Sequence, residues 1–99
     1  MSIIETIFAG RNNAFSLQLV RGDEVINLIA ITGYSLTLSN GKVFSAPSSF
    51  LEKPDGIVEI SIGTLLTEED LGVHKAFLIT YDPVNIQGVR WPTFKLKVQ

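Results

Sequence analysis

The chain contains no cysteine and a single histidine, His74. The first absence excludes a disulfide framework, a thiolate nucleophile and cysteine-held metal, so stability must come from packing. The second denies zinc the three or four nitrogen or sulfur ligands it takes. Charge is sparse as well: 18% of residues are charged and the net charge is −2. The basic residues are scattered, apart from Lys95 and Lys97 on one face of an expected strand. Such a chain has no electrostatic reason to seek nucleic acid. No apolar run approaches the roughly 18 residues of a membrane span, and no basic segment followed by an apolar one opens the sequence. The expectation is a soluble protein made in a cytoplasm, with no membrane partner. There is no Gly-x-Gly-x-x-Gly or Walker pattern and no Asp-x-Asp-x-Asp-Gly calcium loop, so no cofactor is expected.

What the chain does have is apolar surface. Hydrophobic residues make up 45% of 99 positions, enough to offset the ordering entropy of one domain spanning residues 1–99. Helical periodicity is nearly absent, whereas period-two alternation recurs. Residues 3–8 are a first strand candidate, broken by Gly10, Asn12 and Asn13. Phe15, Leu17 and Leu19 alternate with Ser16 and Gln18 and define one buried face. Gly22-Asp23 turns the chain. Residues 25–31 are a more continuously apolar run, rich in β-branching, as expected of a strand covered on both faces. Tyr34, Leu36 and Leu38 alternate with Ser35, Thr37 and Ser39. Asn40-Gly41 then predicts a type I′ turn, whose two central residues need positive φ, and hence a hairpin of residues 34–39 with 42–46.

Residues 47–54 read as a loop carrying Phe50 and Leu51 inward. After the Asp55-Gly56 turn, Val58, Ile60 and Ile62 alternate with Glu59 and Ser61. Residues 65–72 are the one candidate helix, capped by Thr67 with Asp70 three residues on and ended by Gly72. A buried strand over 76–81, a loop over 82–88 and a last strand over 89–98 complete the chain. In that last strand Phe94, Leu96 and Val98 share one parity and Trp91 has the other. Pro92 lies between them and cannot donate to a ladder. A bulge or an edge position there would bring Trp91 onto the inward face. Short strands separated by turn signals at this density predict an all-β, antiparallel sandwich of seven or eight strands with one short helical turn.

The run Asp70-Leu71-Gly72-Val73-His74-Lys75-Ala76 resembles the turn into the penultimate strand of immunoglobulin-like domains, which often reads Asp-x-Gly-x-Tyr-x-Cys. His74 stands at the tyrosine position and Ala76 at the cysteine position. The tyrosine of that corner ties the turn to the backbone through its hydroxyl, and an imidazole nitrogen can imitate it. Two departures, the missing disulfide and a tryptophan after the corner, set the chain apart from antibody-type domains. A second resemblance is to the N-terminal domain of phage-tail baseplate upper proteins. The matching pieces are Ser39-Asn40-Gly41-Lys42, Asp55-Gly56-Ile57-Val58, the Leu66–Gly72 turn and the final Phe94–Val98 strand. That resemblance implies a structural role in a tail, baseplate or capsid, a virion location after synthesis in the bacterial host, and no cofactor.

No catalytic residues are expected. His74 has Val73 and Lys75 beside it and no orienting carboxylate. Glu68, Glu69 and Asp70 suit the first turn of a short helix, and Asp55 and Asp82 are turn residues. The candidate partner-binding residues are Ile3, Ile4, Ile7 and Phe8 on an apolar edge strand, with Trp91 and Pro92 at the expected bulge. The expected partners are other virion proteins or a second copy. The alternative is a carbohydrate- or ligand-binding sandwich, with exposed Trp91 and Tyr81 as a stacking platform flanked by Asn85 and Gln87.

Overall fold

Alternating apolar side chains need a second apolar layer to face, and here two sheets supply it to each other. The structure, a computed structural model, describes residues 4–99. Eleven strand segments are β1 (Ile4–Ile7), β2 (Phe15–Gln18), β3 (Val20–Arg21), β4 (Glu24–Val25), β5 (Gly33–Leu38), β6 (Val43–Phe44), β7 (Phe50–Lys53), β8 (Ile57–Ile60), β9 (Gly72–Tyr81), β10 (Val89–Arg90) and β11 (Phe94–Val98). The larger sheet runs β1-β11-β9-β5-β6, with β10 also on β9. Its pairings are antiparallel except β1 with β11, which is parallel. The smaller sheet is β2-β8-β7, and β3-β4 is a separate ribbon.

The core lies between the sheets. Ile7, Leu36, Leu38, Leu78 and Leu96 come from one side, and Val58 and Ile60 from the other, all at most 1% exposed. Aromatic pairs cross the gap: Phe15 against Phe94 at 5.9 Å between ring centroids, and Tyr34 stacked on Phe50 at 5.2 Å. Such pairs favour tilted or offset rings at this spacing. All-β architecture follows from the alternation of the sequence, but the strand count does not. Four segments have only two residues, so the chain is broken into more pieces than seven or eight.

Several local expectations need correction. Residues 25–31 are not a doubly covered strand. The chain leaves β4 at Val25 and makes a 3₁₀ turn over Leu28–Ala30, because Asn27 Oδ1 accepts from Ile29 N at 3.0 Å. That local bond competes with sheet pairing, and Ile29 is left exposed. Residues 50–53 are strand β7, not loop, so strand parity turns Phe50 inward and Leu51 outward. Residues 65–72 form no helix. Two three-residue 3₁₀ turns, Gly63–Leu65 and Glu68–Asp70, replace it. Two more lie at Leu28–Ala30 and Pro47–Ser49.

The β5–β6 hairpin forms as expected, with a different turn. Only Gly41 takes positive φ, at 92°, whereas Asn40 does not. Leu38 N donates to Lys42 O at 2.9 Å and Gly41 N to Leu38 O at 3.0 Å, the pattern of a three-residue loop closed by a left-handed glycine. Asn40 is held by its side chain: Oδ1 accepts from Lys42 N and Nδ2 donates to Asp70 Oδ1. The bulge in the last strand is present. Arg90 pairs with Ile79 and Phe94 with Ala76, so Trp91, Pro92 and Thr93 oppose only Phe77 and Leu78. The extra residue shifts parity and lets Trp91 pack against the core.

Candidate functional site

Strand β1 sits at one edge of the larger sheet. Its alternation directs Glu5 and Ile7 inward and leaves Ile4 and Phe8 exposed, at 60% and 45%. Ile7 is fully buried, so it packs the core and presents nothing to a partner. Ile3 lies outside the described residues. The crossover from β1 to β2 is fixed by Asn13, whose Oδ1 accepts from Phe8 N at 2.9 Å. Its Nδ2 donates to Phe8 O and Arg11 O, both at 2.8 Å. Gly10 N donates to Gly63 O at 2.8 Å and completes the clasp.

The Trp91 bulge lies on the same flank. Trp91 N donates to Leu78 O and its Nε1 to Thr80 Oγ1, each at 2.9 Å. The second bond satisfies a hydroxyl that is 2% exposed. The Arg21 guanidinium stands 5.7 Å from the ring centroid, within cation–π range. Trp91 is therefore half-buried and occupied, while Pro92 is exposed. Between the bulge and β2 runs a groove of about 450 Å³, lined by Glu5, Leu17, Leu78, Trp91, Pro92 and Phe94 among others. Burial in it pushes the Glu5 carboxyl above its ordinary pKa.

The Asp70 corner is the most polar buried place in the fold. Asp70 is fully buried. Its carboxylate accepts from Lys42 Nζ at 2.6 Å, Thr67 N at 2.8 Å, Asn40 Nδ2 at 2.9 Å and Thr67 Oγ1 at 3.3 Å. Burial alone would raise its pKa, but the bonds from Lys42, Thr67 and Asn40 and the Lys42 charge together hold it below the ordinary value. The acidic run thus splits. Glu68 and Glu69 are solvated, whereas Asp70 turns in to fasten the β5–β6 turn. His74 Nε2 lies 2.7 Å from Asp70 O, and the tautomer protonated there donates to that carbonyl. The resemblance of this run to the immunoglobulin-like turn implied such a tie. His74→Ala is expected to lower stability by about 1 kcal/mol, read as a shift in the urea midpoint with unchanged slope.

Elsewhere, Tyr34 Oη is buried without a hydrogen-bond partner among the described residues. Burial first, then the neighbouring Glu52 carboxylate, raise its pKa above the tyrosine range. Asp82 closes its own turn by accepting from Asn85 N at 2.8 Å and Val84 N at 2.9 Å. Those bonds, led by Asn85, lower its pKa. Among the described residues no three His, Asp or Glu side chains gather as a metal site, and no helix is long and apolar enough to cross a membrane. The sequence reading missed the groove itself. The signal was present in Glu5, an acidic residue that shares the inward parity of Ile7 on the first strand. No protein-family model matches the chain, and no curated protein matches it.

Proposed function

We propose that the chain is a non-catalytic bacteriophage structural or assembly protein, of a tail, baseplate or capsid-associated part, that acts through protein–protein contacts. The observation that carries the assembly reading is edge strand β1 with Ile4 exposed on it and Phe8 exposed just beyond its end. An apolar sheet edge is a template for pairing with another chain. The phage reading draws on the motif resemblances. Within it the fold is an immunoglobulin-like sandwich. Support comes from the strand orders of the two sheets, β1 parallel to the last strand, and the His74 tie to Asp70 O in the place of a tyrosine corner. The carbohydrate-binding alternative has less support, since the Trp91 ring rests on the core beneath Arg21.

Deleting residues 1–8 would remove the core residue Ile7, so a point substitution is the cleaner test. In sedimentation with tail or capsid components at micromolar concentration, the chain is expected to travel with at least one of them. Ile4→Lys is expected to weaken that association at least tenfold while leaving the thermal midpoint within about 2 °C, because surface substitutions cost little. A chain that stays monomeric and travels with no particle component would sink the reading.

A further inference from the structure

The smaller sheet leaves β2 as an edge, and the register shows which of its groups point outward. Leu19 N donates to Gly56 O at 2.8 Å, extending the ladder in which Phe15 pairs with Ile60 and Leu17 with Val58. In an antiparallel ladder the hydrogen-bonded residues alternate. Phe15, Leu17 and Leu19 therefore turn their backbone groups toward β8, and Ser16 and Gln18 turn theirs away from it. Among the described residues β2 pairs with no strand but β8, and no turn or loop bond reaches the backbone of Ser16 or Gln18. They line the 450 Å³ groove together with Val20, Trp91 and Pro92 among others.

The same groove holds Glu5, which has no ion pair or hydrogen bond among the described residues. A half-buried carboxylate on an apolar floor is costly without a cation. It also discriminates: an inward charge repels a wholly apolar strand and favours one that brings a positive charge.

We infer that β2 is a strand-addition site, and that its occupant is an extended segment of a partner protein. That segment hydrogen-bonds to Ser16 and Gln18 and lays apolar side chains on the exposed Val20 and Pro92. It also sets one lysine or arginine against Glu5. This deepens the assembly reading and rests on it: backbone pairing supplies affinity, and the alternate side chains supply choice of partner.

The test uses a blocked hexapeptide of alternating valine and threonine whose central groove-facing valine is replaced by lysine. Titrated into the ¹⁵N-labelled chain, it is expected to shift and protect the amides of Ser16 and Gln18. The matching glutamate peptide is expected to bind at least tenfold more weakly, and Glu5→Gln to cut that preference below threefold. Ser16→Pro removes an outward N–H and is expected to abolish binding. Should that variant misfold, the lysine peptide N-methylated on its edge-facing amides makes the same test without altering the protein. No binding at millimolar peptide, equal binding of the two peptides, or shifts away from the groove would each overturn the inference. So would self-association of the chain that Ser16→Pro abolishes, since the occupant would then be a second copy. Peptide binding by a chain that travels with no virion component leaves the strand site standing and removes the phage reading. The converse result removes only the site.

Discussion

Asp70→Ala is expected to destabilise the fold by about 3 kcal/mol, a large share of the 5–15 kcal/mol typical of a domain. The change removes one buried acceptor from four donors at once. Thr67 N and the Asn40 amide would be left short of partners, at about 1–3 kcal/mol for an unsatisfied buried group. Lys42 is 38% exposed and would rehydrate, so its charge adds little to the loss. Asp70→Asn keeps the shape and is expected to lose about 2 kcal/mol. Its diagnostic is pH. Because the folded pKa of Asp70 lies below its unfolded value, its contribution is full above about pH 4. It is lost as pH falls through the folded pKa. Denaturation midpoints of the parent should therefore drop on acidification below pH 4, and those of Asp70→Asn should drop less. Equal acid sensitivity in the two chains would show that the Lys42 and Thr67 contacts do not favour the charged form.

Gly63→Ala is expected to lose about 3 kcal/mol, although alanine is ordinarily a mild replacement. A Cβ on Gly63 would run into Arg11 O and the Asn13 amide nitrogen, and would press Phe8 O at 3.0 Å. Two of these are backbone atoms of the crossover and cannot swing aside. Relief requires opening the clasp that Asn13 and Gly10 close, so the loss should be local as well as global. Amide exchange of Phe8 and Gly10, whose N–H groups are bonded in that clasp, should accelerate more than that of Leu36. Gly41→Ala is the control. None of the described residues comes within 4 Å of its Cβ position, so only the positive φ is felt, at about 1 kcal/mol. Similar losses for the two would mean that the crossover yields.

How much of this was legible depends on whether a residue's role is set by its neighbours in the chain or by its neighbours in space. Val58, Ile60, Phe94, Leu96 and Val98 declared themselves by alternation, and all are buried. The parity conflict at Trp91 forecast a bulge or an edge position, and the resemblance to the immunoglobulin-like turn implied the tie of His74 to the backbone. Residues 25–31 misled because β-branched composition states a preference for sheet, while Asn27 spends its side chain on a turn. Asp70 was legible in part. Its spacing from Thr67 forecast the cap, and Thr67 N does donate to it, but only the return of the β5–β6 turn to its side gives it Lys42 and Asn40 as further partners. The groove was illegible for the same reason: Glu5, Ser16 and Trp91 meet only when the sheets stack. No local pattern encodes that meeting.

The parallel pairing of β1 with β11 has a consequence for how the molecule is made. Ile4 lies beside Lys95, so the first strand waits for the last before it can find its place. While the chain is emerging from the ribosome, Ile7 has no sheet to join and one side of β9 is bare. Pairing across such a sequence separation is slow, and it leaves sticky intermediates in the meantime. Yield in the cell should then respond to anything that hastens or delays completion of β11, even where the finished fold is equally stable.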